Sequence, residues 1–402
     1  MELKKVISKC AETRDSFYLY DEKGILESVE NLKSNFPETE FLYSIKCNPD
    51  PRVIRCVFGE GFGADAASAG EVRLAHEAGL PSEKIFYSAP GKSDNDIEET
   101  ITSSVIIADS IDEIGRVQAA AEKRGMIINI GIRIDPDFTF DSDKGRPSKF
   151  GIDEEQAIEF AQNCHYSNIK ITGIHVHLKS QELSADVLAS YYKKMFRLAE
   201  KFEKICGGLE YVNMGSGIGV NYAENEEPLN ISSLASDFRS EFERFRSSYP
   251  DTKVMIETGR YAVCRSGYYV TKVMDRKVSR GKTYVLLKNT LNAFMRPSLA
   301  ELVRHYSGES SPAGTEPLFT SEDAFQFLTL KEGVPEETVT LAGNLCTAAD
   351  VFAADIRMPK LERGDIVIVT NAGSYAAALS PMQFSSQEKP EELFLTKDGK
   401  LQ

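Results

Sequence analysis

Between residue 41 and about residue 260 short apolar runs recur, and stretches whose apolar positions follow helical spacing lie between them. The runs FLYSIK (41–46), GFGADAA (61–67), IFYSA (85–89), SVIIADS (104–110), IINIGIRI (127–134), ITGIHVHL (171–178), LEYVNM (209–214) and KVMIETG (253–259) read as strands. DEIGRVQAAAEKRG (112–125), EEQAIEFAQNC (154–164) and ISSLASDFRSEFERFRSSY (231–249) read as amphipathic helices. Eight strand–helix units in succession predict a parallel sheet closed as a (β/α)8 barrel, with an open doubly wound sheet as the rival for the same alternation. After about residue 262 the texture becomes β-rich in SGYYVTKVMD, KTYVLLK, ETVTLAG, DIVIVTNAG and ELFLTK. The expected architecture is therefore α/β: a barrel over residues 24–262, and a mainly antiparallel β domain formed by residues 263–402 with residues 1–23, whose SFYLYD (16–21) is a further strand.

In such barrels the reacting groups sit at the carboxyl ends of the strands. Here those ends carry Lys46, Asp65, Ser88, Asp109, Arg133, His177, Gly215 and Glu257, a ring of mostly polar or ionisable residues directly after apolar ones. MGSGIGV (214–220) follows the seventh run, and its Gly215, Gly217 and Gly219, with Ser216 between them, let backbone amides approach an anion. The spacing is not the dinucleotide fingerprint, and a plain tight turn explains the glycines alone equally well. Arg260 in ETGR (257–260), after Gly259, and Ser180 tilt the reading toward a phosphate. HVHLKSQ (175–181) offers a His-x-His pair, but a metal needs further ligands and the chain has only five histidines. His175 reads as a core residue, while His177 lies nearer the mouth and is placed to lie against a planar ligand.

Lys46 ends an apolar run, where an ammonium is costly to desolvate without a reason. A lysine in a partly apolar, cation-rich site has a lowered pKa and forms Schiff bases. Together with a phosphate nest, a histidine for stacking and a carboxylate at Glu257, it suggests pyridoxal 5′-phosphate, with the ring nitrogen on Glu257.

Composition narrows the class. A chain of 402 residues with 42% hydrophobic and 27% charged residues suits a soluble two-domain protein. A net charge of −14 disfavours nucleic acid or an anionic membrane as partner, yet permits a local basic pocket for a small anion. No apolar run approaches the ~20 residues of a membrane span, and the first residues lack a leader's apolar core. Seven cysteines without a CxxC pair suit reduced thiols, so a cytoplasmic location is expected.

These residues, taken together, resemble the fold-type III pyridoxal-phosphate decarboxylases, the group of diaminopimelate and ornithine decarboxylases, whose barrel is alanine-racemase-like. YSIKCN is similar to that family's lysine motif, HVHLKSQ to its His-x-x-Ser motif, GSGIG to its glycine loop and ETGR to its Glu-Pro-Gly-Arg. NLCTAAD (344–350) resembles the segment a partner subunit inserts into the active site, and NAGSYAAALS (371–380) resembles the Gly-Ala-Tyr region. The resemblance implies Lys46 as the covalent anchor, His177 on the ring, and Ser180, Gly217 and Arg260 on the phosphate. It further implies Glu257 on the ring nitrogen, Tyr375 beside the cofactor, Cys346 as the acid that returns a proton, and a homodimer with shared active sites.

Departures from the pattern bear on the substrate. Thr347 stands where diaminopimelate decarboxylases carry an acid for the distal ammonium, and RPSLA (296–300) keeps Arg296 but has Ala300 in place of tyrosine. Lys179 replaces a glycine and Thr258 a proline. GRPSKFGI, GIGVNYA, GYYVTKVMD and LCTAADVFA are similar to the siderophore-pathway decarboxylases that act on a citryl-diaminopropionate intermediate. The expectation is thus decarboxylation of an amino acid or conjugate, with Arg296 and Lys179 toward a carboxylate-bearing tail. The rivals are a diaminopimelate, ornithine or lysine decarboxylase, an amino-acid racemase, and a non-catalytic carrier of the cofactor.

Overall fold

The computed structural model describes residues 2–223, 226–307, 316–318, 320 and 322–402. The chain divides into two compact units: Ser28–Val220 with Pro228–Gly259, and Met1–Glu27 with Asn221–Glu227 and Arg260–Gln402. Residues 221–227, read from sequence as part of the barrel, belong to the second unit.

All eight expected strands form in the first unit. They are β1 (Glu40–Ser44), β2 (Gly63–Ala66), β3 (Ile85–Tyr87), β4 (Val105–Ala108), β5 (Ile128–Asp135), β6 (Ile169–His175), β7 (Tyr211–Asn213) and β8 (Lys253–Thr258). Each pairs in parallel with its neighbours, and the ring closes through β8 on β1 (Ile256 opposite Phe41) and β4 on β5 (Ile107 opposite Gly131). An open doubly wound sheet would leave two free edges, so the closure decides for the barrel. Leu42, Phe86, Ile107, Tyr211 and Met255 fill the interior. A Cβ at Gly131 or Gly173 would overlap the Tyr211 side chain, so the largest interior residue fits only because two strands carry none there. Serines cap the helices that follow several strands. Ser68, Ser110 and Ser184 accept the amides of Glu71, Glu113 and Val187, which satisfies orphan donors at three helix starts.

In the second unit Ser16–Asp21 lies between Gly267–Ser279, antiparallel with Phe17 opposite Val270, and Glu391–Leu395, parallel with Leu19 opposite Leu393. Lys282–Leu287, Phe327–Leu328, Glu336–Gly343, Val351–Pro359 and Ile366–Val369 complete a mainly antiparallel sheet. Its core gathers Phe17, Leu19, Val270, Ile366, Ile368, Leu393 and Leu395. The β texture of the sequence hid helices in this unit: Glu2–Ala11, and Met295–Ser307 with Arg296 in its first turn. Among the described residues no helix is long and apolar enough to cross a membrane.

Candidate active site

The carboxyl ends of the barrel strands hold the expected ring. Lys46 lies not on β1 but in the single 3-10 turn Ile45–Cys47 that follows it. That turn lifts its side chain to 40% exposure, with Nζ 2.9 Å from Asp65 Oδ2. Asp65 on β2 is fully buried and also accepts the hydroxyls of Ser44 and Ser88, each at 2.8 Å. The lysine's immediate neighbour is therefore an anion, whereas the sequence suggested a cation-rich setting. Gly259, at the end of β8, permits this packing: a Cβ there would stand 2.9 Å from Cys47 Sγ on the lysine's own turn.

Glu257 on β8 is the second focus. Asn213 Nδ2 donates to its Oε1 at 3.0 Å, and His175 Nε2 stands 3.0 Å from the same oxygen. His177 Nδ1 lies 3.4 Å from Oε2 and accepts the amide of Ser216 at 3.2 Å, which fixes the orientation of a ring that is 23% exposed. Burial alone would push the Glu257 carboxyl up, but the two histidines outweigh it and hold it well below the usual carboxylate range. An ionised carboxylate thus sits at the barrel mouth. Arg133 on β5 lies 3.7 Å from Asp109 and donates to the carbonyl oxygens of Ser88 and His177.

The glycine loop follows β7 as expected. Gly215 has φ +64 and packs so closely that a Cβ would meet the Val176 carbonyl, so its glycine is required by the barrel itself. Glu182 donates its amide to Gly217 O and accepts that of Gly219, which ties the loop to the segment after β6. Among the described residues the amides of Gly217 and Ile218 donate to no group of the protein. Ser180 is partly exposed in the facing segment. Lys179, expected to serve a substrate tail, is instead ion-paired with Glu182 at 2.7 Å.

The remaining expected residues lie in the β unit. Arg260 and Arg296 are both buried and both meet Glu316 Oε2, at 3.0 and 3.2 Å. Tyr222 accepts hydrogen bonds from both guanidinium groups, and the Tyr375 ring lies 5.0 Å from Arg260 Cζ. Arg296, expected to be open to a substrate carboxylate, already holds one from its own chain. Tyr375 adopts φ +53, a conformation rare for an aromatic residue. Cys346 and Thr347 are exposed on the loop between Glu336–Gly343 and Val351–Pro359. Asp350 secures that loop by accepting the amides of Leu345 and Leu291 at 2.9 and 3.0 Å.

Asn213, Tyr222 and Glu316 of these two clusters escaped the sequence reading, as did Lys92 elsewhere in the barrel. Asn213 was legible as a buried polar residue ahead of the glycines. His175 was read as core, and it is buried, but against Glu257. Tyr222, Glu316 and Lys92 gave no local signal; Lys92 lies in the turn after β3, with its Nζ 2.7 Å from buried Glu113.

Residues 22–264 match the family described as pyridoxal-dependent decarboxylase, pyridoxal binding domain. Over 397 residues the chain is 32% identical to L-glutamyl-(BtrI acyl-carrier protein) decarboxylase of Niallia circulans, covering 94% of this chain and 88% of that protein. It is 27% identical to 2-((L-alanin-3-ylcarbamoyl)methyl)-2-hydroxybutanedioate decarboxylase of Staphylococcus aureus, with 94% of each chain covered. The crystal structure of diaminopimelate decarboxylase from Helicobacter pylori complexed with L-lysine matches with a TM-score of 0.83 at 25% identity, covering 98% of this chain and 95% of that one.

Proposed function

The chain belongs to the pyridoxal-dependent decarboxylase family, and from that premise we propose how its residues serve a carboxy-lyase acting on an amino acid or amino-acid conjugate. The observation that carries the assignment of roles is the pairing, at one barrel mouth, of a half-exposed lysine on a buried aspartate with a buried, ionised glutamate.

The donor set fits pyridoxal 5′-phosphate. Lys46 offers an amine, Glu257 an anion for a protonated ring nitrogen, and Gly217 and Ile218 two amides that donate to no group among the described residues and could meet a phosphate. When bound, the cofactor supplies an aldehyde and a ring that accepts the electrons left by departing carbon dioxide. Lys46 would hold it covalently, with Asp65 fixing where the lysine nitrogen lies. Asn213 and His175 bear on Oε1 of Glu257 and His177 Nδ1 lies 3.4 Å from Oε2, so the carboxylate that would meet the ring nitrogen is held in place on both of its oxygens. His177, oriented by the Ser216 amide, would lie against the ring. Ser180 and Ser216 would add hydroxyl donors for the phosphate, whereas the Gly219 amide already donates to Glu182 O and shapes the loop. Roles for Arg260 and Tyr375 at the cofactor are what the family resemblance implies. Cys346, exposed on its loop, returns the proton to the substrate carbon from the second copy of a homodimer.

For the substrate we infer a conjugate whose far end carries no bare ammonium. Thr347 cannot pair with one, and two relatives act on a glutamyl group on a carrier protein and on a hydroxybutanedioate amide. A buried ammonium without its acid would lose a few kcal/mol of recognition.

Borohydride reduction followed by peptide mapping tests the anchor, with the expected adduct on the peptide containing Lys46. Release of carbon dioxide from a glutamyl thioester and a citrate amide, compared with free diaminopimelate, ornithine and lysine, tests the substrate. Faster release from the free diamino acids would overturn the conjugate assignment.

A further inference from the structure

In the segment that follows β6, Gln181 adopts φ +64, a left-handed backbone that a residue with a Cβ disfavours. Its side chain shows what is gained there. Nε2 donates to Val220 O at 2.5 Å and Oε1 accepts the Val220 amide at 3.1 Å, so one primary amide closes on both main-chain groups of one residue. That orientation is fixed by chemistry, because the amide turned over would set donor against donor and acceptor against acceptor. The next residue continues the contact: Glu182 donates its amide to Gly217 O at 2.8 Å and accepts that of Gly219 at 3.0 Å. A Cβ at Gly219 would stand 2.8 Å from Glu182 O and 3.1 Å from the Gln181 carbonyl carbon, so the two segments lie flush.

The glycine loop is thus fastened at both ends by different means. At its start Gly215 donates to Asn213 Oδ1 and Ser216 to His177 Nδ1. At its end Gly219 and Val220 are held by Glu182 and Gln181. Between the fastenings lie the amides of Gly217 and Ile218, which donate to no group among the described residues. A stretch with glycines at 215, 217 and 219 has many conformations open to it, so two amides share a fixed geometry only if both flanks are held. Residues in sparsely populated backbone conformations persist where their surroundings over-determine them, and they gather at functional sites. Glycine would suit the backbone at position 181 but could not reach Val220.

We propose that Gln181 is a positioning residue, whose side chain clamps Val220 and so presets the amides of Gly217 and Ile218 as a pair of donors for an oxyanion. The identity of that oxyanion rests on the proposed function, where it is the cofactor's phosphate; the clamp itself does not.

The test compares the full-length chain as wild type, Gln181→Ala and Gln181→Gly. Both variants lose the two clamp bonds, and only glycine suits φ +64, so Gln181→Gly should be the more stable of the two in urea unfolding. Inorganic phosphate is titrated calorimetrically into each protein free of cofactor, and amide hydrogen exchange is followed across residues 215–220. The expected result is a Kd about tenfold higher in both variants, with faster exchange at Gly219 and Val220. A side chain that merely supported the fold would move affinity in step with stability, so wild-type affinity in Gln181→Gly overturns the proposal. Unaltered exchange at Val220 in both variants overturns it as well. A wild-type chain that binds no phosphate counts against the proposed function at this loop, and the exchange measurement still decides the clamp.

Discussion

In the barrel mouth Lys46 faces Asp65 and Arg133 faces Asp109, while Glu257 is held by Asn213 and by His175, whose burial lowers its pKa and makes it a neutral partner. In the β unit two arginines share Glu316. Charges matched within the protein can hold their geometry before any ligand arrives, which is what orientation of a reacting centre requires. Charges left in excess keep a standing affinity for something else. The first region is built to position groups and the second to receive one, so substitutions in the two should fail in different ways.

The largest effect is expected at Lys46. Lys46→Ala should abolish both the borohydride-fixed cofactor and the release of carbon dioxide while leaving the fold intact. Asp65 would remain buried but keeps two hydroxyl donors, Ser44 and Ser88. Retained cofactor and turnover in that variant would remove the anchor. Glu257→Gln comes next, with turnover falling about 10²–10³-fold as a preorganised charge is lost. Because the folded carboxyl is held below its unfolded value, its contribution to stability is present above pH 4.5 and is lost as pH falls further. Wild type should therefore lose more thermal stability than Glu257→Gln below that pH, and parallel curves would count against an ionised Glu257.

The pairing account also predicts stability effects away from the chemistry. Lys92 is fully buried, and its three ammonium hydrogens meet Ala89 O, Ile107 O and Glu113 Oε1 at 2.7, 2.8 and 2.7 Å. Lys92→Ala should cost about 3–5 kcal/mol, because it leaves a carboxylate buried without its cation. The double change Lys92→Met with Glu113→Leu should recover most of that loss in urea unfolding. If the double variant is as unstable as the single one, the loss reflects packing and not charge.

How much was legible follows from the same contrast. The barrel strands were readable because apolar runs flanked by turn residues admit few alternatives, and strand order then places their ends on one face. Lys46, Asp65, Arg133, His177 and Glu257 were therefore found as a ring before any contact was known. Met295–Ser307 was missed because Pro297 and Arg296 drew attention as a motif, although proline is tolerated in a helix's first turn. Lys92 with Glu113, and Arg296 with Glu316, are 21 and 20 residues apart in the chain and meet only through folding. Nothing local marks a charge as paired; burial does, and burial of a polar residue is a tertiary property.

In the β unit, Tyr222→Phe removes the oxygen that both guanidinium groups address. Leaving those donors unsatisfied should cost about 1–3 kcal/mol of stability in urea unfolding. An added oxyanion such as phosphate should restore more of that loss than it adds to wild type. Equal stabilisation of the two proteins would argue that the cluster is already satisfied without a ligand.

The smallest effect sharpens the barrel side. Glu71 stands close enough to Asp65 and Lys46 to feel both, and among the described residues no cation forms an ion pair with it. Its amide donates to Ser68 at the start of Ala69–Glu77, and its Oε2 accepts the Ala67 amide at 2.7 Å. Burial pushes its carboxyl up to about 7, with Asp65 adding and the Ala67 amide and Lys46 opposing. An acid whose folded pKa lies above its unfolded value binds more protons when folded, so stability falls as pH rises from 4.5 to about 7. Glu71→Gln retains an acceptor for Ala67 and removes the titration. Melting temperatures from pH 4.5 to 8 should then decline less for the variant, the relative gain growing toward the alkaline end. Identical slopes would mean that Glu71 is ionised throughout, and that this mouth tolerates an unpaired anion after all.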